Sequence, residues 1–317
     1  MLFDTPILFI TYKRFYTARK VFDVIKKIKP KKLYFASNLP PKKNYKKDIE
    51  SINKVRSLLN EVNWNCKVKK IFHRNHLRVS ESIPRSIDIF FKNEKEGIIL
   101  EDDCLPSIDF FSYCKKMLKI YKNKNINAIC GSRFVPEDSK KEIYFSKYNH
   151  AWGWATWKKS WNNFDPKIKF WKNYKNSKHW QALNENIERK YWEKIFDKTF
   201  SNQIDTWDYA WTASAWYKKQ LSIIPPVNLI SNIGFGPEAT WTLKSKNDKV
   251  KKPKKLKNFR FKSKEVTRNV FYDNQVFLKH FKGNRQSVIM KTKDHINLLI
   301  SDPKTFFLKA KRNLKNV

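Results

Sequence analysis

The sequence predicts an α/β protein in which helices cover a parallel sheet. Short apolar runs rich in β-branched and aromatic residues recur through the first 130 residues, each with the length of a buried strand. Between these runs lie segments whose apolar residues have the spacing of an amphipathic helix. Strands and helices in regular alternation indicate a parallel sheet with crossover helices.

The elements predicted from these patterns alternate in a simple order. Val21, Val24 and Ile25 indicate the first helix, and Pro30 stops it because proline cannot continue a helix. Thr17 is predicted as the N-cap of this helix. In chain order the predicted elements are a strand at residues 6–12, the first helix, a strand at 32–37, a helix at 48–62, a strand at 66–72, a helix at 83–91, a strand at 98–100, a helix at 109–121 and a strand at 127–130.

Three adjacent carboxylates, Glu101, Asp102 and Asp103, follow the predicted strand at residues 98–100. Carboxylates this close repel one another, and a buried charge without a partner is costly, so a positive group is expected beside them. A divalent cation carrying a phosphate suits this place, because hard cations take oxygen ligands and open α/β sheets bind ligands beyond the carboxyl ends of their strands. The alternative is an acidic loop that is merely solvated or paired with lysine.

The formal net charge of +38 suggests nucleic-acid binding, but the kind of basic residue argues against it. Only twelve of the 67 basic residues are arginine, the residue favoured for bidentate recognition of bases and phosphates. The lysines are spread over the whole chain, as on a solvated basic surface. We therefore expect no nucleic-acid partner, and a basic nucleic-acid-binding protein is kept as the weaker alternative.

Other broad classes of protein are not favoured by the sequence. No apolar stretch approaches the roughly 18 residues of a membrane span, and no basic region of a signal peptide is visible. The four cysteines are scattered without a Cys-x-x-Cys pair, so they indicate neither a zinc site nor a disulfide framework. We expect a cytoplasmic protein that is soluble or peripheral to a membrane.

The second half of the chain is rich in tryptophan. Eleven of the twelve tryptophans lie between Trp152 and Trp241. Trp154, Trp157 and Trp161 are three and four residues apart, which predicts one face of a helix. Such residues either pack into an aromatic core or form a platform on which the apolar faces of sugar rings rest.

Two isolated acids, Asp205 and Asp208, lie within an aromatic stretch at residues 203–216. Aromatic surroundings raise the pKa of a carboxylate and suit it to act as a general base. Asp208 is the predicted catalytic residue because it lies inside the aromatic run. Asp205 is its rival, although its position before a predicted helix favours a capping role for it.

Four blocks of the sequence resemble bacterial nucleotide-sugar glycosyltransferases of the GT-A fold, in particular the group described as hemolytic-protein-like. The blocks are Gly-Ile-Ile-Leu-Glu-Asp-Asp-Cys-Leu-Pro at residues 97–106, His-x-Trp-Gly-Trp-Ala-Thr-Trp at 150–157, Ile-Asp-Thr-Trp-Asp-Tyr-x-Trp at 204–211 and Ser-Asn-Ile-Gly-Phe-Gly at 231–236. The resemblance covers about residues 5–243. The Glu-Asp-Asp block also resembles the N-acetylglucosaminyltransferase I type, which is inverting and manganese-dependent.

The resemblance implies a Rossmann-like mixed sheet flanked by helices. It implies a nucleotide-sugar-binding half at residues 1–135, an aromatic acceptor-binding half at 136–243, and a lysine-rich arm with a helical extension at 244–317. The implied reaction is the metal-dependent, inverting transfer of a sugar from a nucleoside-diphosphate sugar to a glycan or lipid-linked acceptor in surface polysaccharide synthesis. A lipid-linked acceptor would bring the basic protein to the inner, anionic face of the membrane.

The same resemblance implies roles for individual residues. Asp103 would bind Mn²⁺ or Mg²⁺ that bridges the diphosphate, and Asp102 and Glu101 would hold the ribose and the donor sugar. Asp208 would take the proton from the acceptor hydroxyl. The other implied residues are Arg14 and Asn38 on the nucleotide side and Trp152, Trp154 and Trp207 on the acceptor side.

Three positions depart from the pattern of this family. Residues 38–40 are Asn-Leu-Pro where Asp-Gly-Pro is usual, and residues 75–78 are Asn-His-Leu-Arg where Asn-Leu-Gly is frequent. Trp241 stands where a histidine is usual. All three positions touch the expected donor or metal site, so a non-catalytic sugar-binding relative is a further alternative.

Overall fold

A computed structural model describes residues 2–137, 142–184, 186–235, 252–256, 264–281, 296 and 299–303. In these residues helices cover both faces of an eight-stranded mixed sheet, which is a Rossmann-like α/β architecture. The α/β class predicted from the sequence is therefore confirmed. Trp241 and most of the predicted extension at residues 244–317 lie outside the described residues.

Ten strands and ten helices lie in the described part of the chain. The strands are β1 (Ile7–Thr11), β2 (Lys32–Ser37), β3 (Lys67–Phe72), β4 (Glu96–Glu101), β5 (Cys104–Pro106), β6 (Ile126–Cys130), β7 (Tyr144–Ser146), β8 (Trp154–Trp157), β9 (Leu221–Ile224) and β10 (Ile230–Asn232). The helices are α1 (Phe15–Ile28), α2 (Tyr45–Arg56), α3 (Val79–Asn93), α4 (Ile108–Ile120), α5 (Lys158–Trp161), α6 (Trp171–Tyr174), α7 (Lys178–Leu183), α8 (Asn186–Phe200), α9 (Asp208–Tyr217) and α10 (Val270–Lys279). None of these helices is long and apolar enough to cross a membrane.

The main sheet has the strand order β3-β2-β1-β4-β8-β6-β9-β7. β1 pairs in parallel with β2 and β4, and β2 pairs in parallel with β3. β8 runs antiparallel between β4 and β6, and β7 is antiparallel to β9. A separate antiparallel ribbon joins β5 to β10. The parallel pairing of β1, β2, β3 and β4 is the alternation that the sequence predicts. Each antiparallel pair includes a strand from the second half of the chain, and β6 also pairs in parallel with β9.

The tryptophans predicted on one helical face are divided between a strand and a short helix, so that prediction was wrong. Trp154 and Trp157 are the two ends of β8, and Trp161 ends α5. Residues three apart in a strand lie on opposite faces. Accordingly, Trp154 packs on the α3 side of the sheet and Trp157 packs on the α1 side. The spacing resembles that of a helix because β8 is followed directly by α5.

Successive residues of the strands pack alternately into two hydrophobic cores, one on each face of the sheet. On one face, Ile7 and Phe9 of β1 pack with α1, α2 and α4. On the other face, Leu8 of the same strand belongs to the core formed with α3, α8, α9 and α10. Because β1 is buried on both sides, its sequence is a nearly continuous apolar run.

Helix α1 begins earlier than the sequence predicts. It starts at Phe15 with Arg14 in the N-cap position, and no side chain caps it. Thr17 lies in the first turn, where its Oγ1 donates a hydrogen bond of 3.1 Å to the carbonyl oxygen of Arg14. The predicted Thr17 cap was wrong because the helix follows β1 almost directly, and this places Arg14 at the crevice described below.

Residues 264–281 pack onto the edge of the sheet at β7. Arg268 forms a bridge with Phe145 of β7, and α10 buries Val276 completely. Asp273 of α10 is also fully buried and accepts a hydrogen bond of 2.6 Å from Nε of Arg268. This part of the predicted C-terminal extension therefore belongs to the folded core.

Candidate functional site

The candidate active site lies where the strand order of the sheet reverses. From β1 the chain proceeds outward to β2 and β3 and then returns past β1 to β4, with α3 on the opposite face from α1 and α2. Ile10 of β1 pairs with Glu101 of β4, so the carboxyl ends of these strands open onto one crevice. Open α/β sheets bind ligands in a crevice of this kind.

Arg14 and two acids form an ion-pair cluster in this crevice. The Nη2 atom of Arg14 lies 2.6 Å from Oδ1 of Asp102 and 2.8 Å from Oδ2 of Asp103. Its Nη1 atom lies 3.4 Å from the carbonyl oxygen of Gly234. The loop after β1, the turn after β4 and the segment after β10 therefore meet at one guanidinium group.

Asp102 fixes the loop after β1 to the end of β4. It is 4% exposed, and its Oδ2 accepts a hydrogen bond of 2.9 Å from the backbone N–H of Tyr12. Burial raises the pKa of Asp102, although the charge of Arg14 opposes this change. The same carboxylate also holds Arg14, so it positions both the backbone and the cation of the crevice.

Glu101 lies among other acids. Burial raises its pKa well above the ordinary value of 4.5, and the charges of Asp103, Asp102 and Asp208 raise it further. The charge of Asp208, the first residue of α9, is thus one of the charges that influence Glu101.

Asp208 is the first residue of α9. Its Oδ1 accepts hydrogen bonds from the hydroxyl of Thr206 and from the backbone N–H of Tyr209, the second at 3.0 Å. Burial raises the pKa of Asp208, and these hydrogen bonds oppose the change only in part. A carboxylate held in this way is suited to accept a proton from a hydroxyl group.

Asp205 caps a helix, but not the helix that follows it. Its Oδ1 accepts hydrogen bonds from the backbone N–H of Ser80 at 3.0 Å and from the Ser80 hydroxyl at 2.6 Å, both in the first turn of α3. Nε of Arg78 lies 3.4 Å from the same oxygen. Burial acts to raise the pKa of Asp205, but these partners outweigh burial and lower it. The predicted local cap was wrong because Trp207 occupies the N-cap position of α9.

Asn38 holds together the loops that follow β2 and β3. Its Nδ2 donates to the carbonyl oxygen of Leu77 at 2.8 Å, and its Oδ1 accepts from the backbone N–H groups of Leu77 and Leu39 at 3.2 and 2.9 Å. Nδ1 of His76 lies 2.7 Å from the carbonyl oxygen of Leu39. The segments at residues 38–40 and 75–78, which depart from the pattern of the glycosyltransferases that the sequence resembles, are therefore hydrogen-bonded to each other. Both follow strands whose carboxyl ends lie on the same edge of the sheet as the crevice.

Two of the three tryptophans assigned to the acceptor are buried. Trp154 is 1% exposed and Trp207 is 4% exposed, and their rings stack with centroids 5.8 Å apart. This burial favours a packing role for both. Trp152 is half-buried, and its ring centroid lies 5.2 Å from that of Phe134 and 6.3 Å from that of Phe235.

Four half-buried rings, Phe134, Trp152, Phe235 and His280, form what we term the aromatic wall. His280, just after α10, lies 3.8 Å from Phe134 and 6.2 Å from Trp152 between ring centroids. The wall begins one residue after Gly234, which contacts the ion-pair cluster. Sequence reasoning missed Phe134 and His280 because no local pattern marks them, whereas Phe235 lies inside the block at residues 231–236.

Gly234 is required by its close approach to the ion-pair cluster. A Cβ atom at this position would lie 2.2 Å from Oδ2 of Asp103 and 2.6 Å from Nη1 of Arg14. The backbone N–H of Ile233 donates a hydrogen bond of 2.8 Å to the carbonyl oxygen of Asp103 and holds the segment in place. The glycine of the block at residues 231–236 was the sequence signal for this contact.

The donor set fits a metal ion that arrives with a phosphate group. The described residues contain no group of three or more His, Cys, Asp and Glu side chains that could enclose a metal ion. Asp103 is half-buried at the crevice, and the thiol of Cys104 lies 3.4 Å from its Oδ1. One carboxylate suits Mg²⁺ or a similar cation, which keeps several waters and is held by one or two carboxylates together with substrate phosphates.

Comparisons with known proteins assign no family to the chain. No family model matches it, and no curated protein matches it. Solved structures with partial similarity include HddC from Yersinia pseudotuberculosis, at 12% identity and a TM-score of 0.30 over 50% of this chain and 78% of that chain. Another is 4-diphosphocytidyl-2C-methyl-D-erythritol synthase from Anaerococcus prevotii, at 11% identity and a TM-score of 0.31 over 61% and 83% of the two chains. A third is a UDP-glucose pyrophosphorylase complexed with UDP-glucose, at 11% identity and a TM-score of 0.23 over 46% and 67%. Similarity at these TM-scores carries no argument about function.

Proposed function

We propose that the protein is a metal-dependent, inverting glycosyltransferase that moves a sugar from a nucleoside-diphosphate sugar to a hydroxyl group of a glycan or glycolipid. One observation carries the proposal. At the switch point of the sheet, Arg14 pairs with two acids of the triplet, and the charge of a further carboxylate, Asp208 from a helix distant in sequence, acts on Glu101 of the same triplet. A diphosphate-binding group and a proton acceptor on one crevice are the two parts that sugar transfer requires.

The donor side comprises the end of β4 and the loops after β1 and β2. Asp103 would hold Mn²⁺ or Mg²⁺, which when bound neutralises charge on the leaving nucleoside diphosphate. Arg14 is placed to bind phosphate oxygens, because its planar guanidinium matches their geometry. Asp102 and Glu101 would contact the ribose and the donor sugar, and Asn38 would contribute to the rim beside the base.

Asp208 is the proposed general base of the reaction. The acceptor hydroxyl oxygen forms a bond to the anomeric carbon as the bond from that carbon to the diphosphate oxygen breaks. The hydroxyl proton passes to a carboxylate oxygen of Asp208, and the electron pair of the broken bond stays with the diphosphate. Such proton removal contributes about 10² to 10⁴ in rate.

The acceptor side is assigned to the aromatic wall. Its four half-buried rings start next to Gly234 and end at His280, so they adjoin the ion-pair cluster. Pockets lined by aromatic side chains with a few fixed polar groups are typical of sites for small molecules. Trp152 would contact the acceptor, as expected from the sequence, whereas the buried rings of Trp154 and Trp207 would have a packing role. A lipid-linked acceptor would place the reaction at an anionic membrane surface.

A donor screen tests the proposal. Hydrolysis and transfer of UDP-, GDP- and dTDP-sugars would be measured with Mn²⁺, Mg²⁺ or EDTA. We expect turnover of at least one donor that depends on the metal, and a loss of about 100-fold or more in Asp103→Asn, because metal stabilisation of the leaving group amounts to several kcal/mol. Asp23→Asn, in a half-exposed acid on α1, is the matched control and should keep full activity.

A non-catalytic sugar-binding protein is the second candidate function. It is favoured by the ion pair between Arg14 and Asp103, which already neutralises the proposed metal ligand. This candidate predicts that nucleotide sugars bind without being hydrolysed or transferred, with or without metal. Binding of a donor with no turnover in the screen would replace the enzyme proposal by this one.

A further inference from the structure

We propose that Arg14 is an internal counter-ion that withholds Asp103 from metal until a nucleoside diphosphate draws the guanidinium group away. Metal and nucleotide would therefore bind cooperatively, and each would bind weakly alone. The inference rests on the proposed function, since it assumes that Asp103 is the metal ligand and that the nucleotide carries a diphosphate.

The guanidinium group occupies the place in which a metal would meet Asp103. Nη2 of Arg14 lies 2.8 Å from Oδ2 of Asp103, and the thiol of Cys104 is the neighbour of Oδ1. A Mg²⁺ or Mn²⁺ ion bound to Oδ2 would need a distance of about 2.1 Å. A dication at that distance would lie next to the guanidinium group, so the two positive charges would repel each other.

Arg14 is held by more than one partner. The side chains of Arg14, Asp102 and Asp103 are 19%, 5% and 17% exposed, so the ion pairs are largely shielded from water. Nη1 of the same side chain approaches the carbonyl oxygen of Gly234 at 3.4 Å. Lys13 does not share in this cluster, because its Nζ pairs with Asp48 at 2.8 Å.

A diphosphate provides the alternative partner that Arg14 needs in order to leave Asp103. Arginine forms strong, bidentate hydrogen bonds with phosphate oxygens. Once the guanidinium group binds the diphosphate, Oδ2 of Asp103 is free to coordinate a cation that also binds the diphosphate. By thermodynamic linkage, the factor by which nucleotide tightens metal binding equals the factor by which metal tightens nucleotide binding.

The neighbours of Arg14 are held by hydrogen bonds that do not involve its side chain. Asp102 remains anchored by the N–H of Tyr12, and the segment of Gly234 remains anchored by the hydrogen bond from Ile233 to the Asp103 carbonyl oxygen. The absence of a Cβ atom at Gly234 allows this segment to lie directly against the guanidinium group, since a Cβ there would be 2.6 Å from Nη1 of Arg14. The proposed movement is a change of rotamer of Arg14.

The test measures Mn²⁺ binding by electron paramagnetic resonance of the free ion, with no nucleotide and with saturating UDP or GDP. In the wild-type protein we expect one of these nucleotides to tighten Mn²⁺ binding by about 5-fold to 150-fold, the usual range of such coupling. In Arg14→Gln, Mn²⁺ alone should bind more tightly than to wild type, and the coupling factor should be smaller than in wild type, since only the direct contact between the cation and the diphosphate is left.

Two further variants make the test decisive. Arg19→Gln removes an arginine of α1 that pairs with Glu61 and not with the acids of the crevice, and this variant should bind Mn²⁺ like wild type. In Arg14→Lys, a single ammonium group cannot bridge both acids and the Gly234 carbonyl, so its Mn²⁺ affinity and coupling should be intermediate. This variant decides the question if Arg14→Gln does not fold.

The inference is overturned if Mn²⁺ alone binds to the Arg14 variants no more tightly than to wild type. It is also overturned if the wild-type protein binds Mn²⁺ equally with and without nucleotide. Failure of the proposed function would give a different result. If Mn²⁺ and nucleotide bind cooperatively but no donor is turned over, the exchange of Arg14 is supported and only the catalytic assignment is rejected.

Discussion

Asp205 and Asp208 lie three residues apart in an aromatic stretch, yet their pKa values change in opposite directions. Asp205 accepts two hydrogen bonds from Ser80 and lies near Arg78, and these partners lower its pKa. For Asp208, burial outweighs the hydrogen bonds from Thr206 and Tyr209 and raises the pKa. The position of an acid in an aromatic sequence therefore does not determine its chemistry, whereas its partners in the fold do.

Asp208→Asn should lower the rate of sugar transfer by two or more orders of magnitude. The variant keeps the size of the side chain but cannot accept the hydroxyl proton, and general-base assistance is worth about 10² to 10⁴ in rate. Binding of UDP or GDP with Mn²⁺ should be unchanged, which isothermal calorimetry would measure. If nucleotide binding were lost as well, Asp208 would belong to the nucleotide site instead.

Asp205→Asn provides the matched comparison and should affect stability rather than chemistry. Loss of the charged cap at the start of α3 should cost about 1 kcal/mol in the free energy of unfolding. Urea denaturation would measure this cost, and the transfer rate should stay within a few-fold of wild type. A large loss of rate with unchanged stability would make Asp205 the base.

The pH dependence of transfer should report the environment of Asp208. The base form is lost as the pH falls through its pKa, so the rate should decrease on the acid side, with a midpoint above the ordinary value of 3.8. Thr206→Val removes a hydrogen bond that favours the charged form and lowers this pKa. The midpoint should therefore move to higher pH.

At the level of the elements, α10 links the C-terminal region to the proposed acceptor side of the site. The helix buries Val276 in the core, and His280, directly after the helix, extends the aromatic wall to Phe134. A segment that composition suggests is a basic extension therefore contributes a ring near the crevice.

His280→Ala should weaken the binding of the acceptor but leave the donor reaction unchanged. We expect the KM for the acceptor to rise by about 10-fold, in line with about 1 kcal/mol or more for a lost ring contact, while metal-dependent hydrolysis of the donor stays at the wild-type rate. Phe271→Ala, in a residue of α10 that is 68% exposed, is the control. Equal KM values for both variants would remove His280 from the acceptor site.

The elements of the parallel half could be predicted from the sequence because their signals are local. Strands buried on both faces read as continuous apolar runs, and α1 shows apolar residues at helical spacing. The strand β8 could not be predicted, since it inserts between β4 and β6 through contacts made far along the chain. For the same reason, the partners of Asp205 and the ring contacts of His280 were invisible in the sequence.

At the level of the whole molecule, buried charges join the C-terminal segment to the second half of the sheet. Asp273 is fully buried and accepts hydrogen bonds from the Ser146 hydroxyl, from the Lys147 N–H at 3.3 Å and from Arg268 at 2.6 Å. Close by in sequence, Nζ of Lys147 forms a buried ion pair of 2.7 Å with Glu188, and burial lowers the pKa of this lysine to about 8.

Asp273→Ala should lower the free energy of unfolding by about 3–5 kcal/mol, because breaking a buried pair leaves the charge of Arg268 without its partner. Chemical denaturation followed by circular dichroism would measure the change. The double variant Asp273→Ala with Arg268→Met should recover part of it, since both charges are then removed. Full stability of the single variant would show that residues 264–281 do not depend on this contact.

The site illustrates how far sequence reasoning extends to function. The acidic triplet was conspicuous because three carboxylates follow an apolar strand in a basic chain. Its counter-ion, Arg14, was expected near the nucleotide from the family resemblance, but its two ion pairs depend on the parallel pairing of β1 and β4. Local sequence patterns thus indicate which residues are candidates for a functional role, and the pairing of strands determines which partners each of these residues contacts.

The strand β3 lies at one end of the main sheet, where β2 is its strand partner among the described residues. This edge affects how molecules of the protein meet in concentrated solution. An unpaired strand edge can template association with another chain, and lysine is the residue that natural proteins most often use to prevent it. β3 carries Lys67, Lys69 and Lys70 in six residues. Two such edges would bring like charges together, which opposes pairing between the sheets of neighbouring molecules.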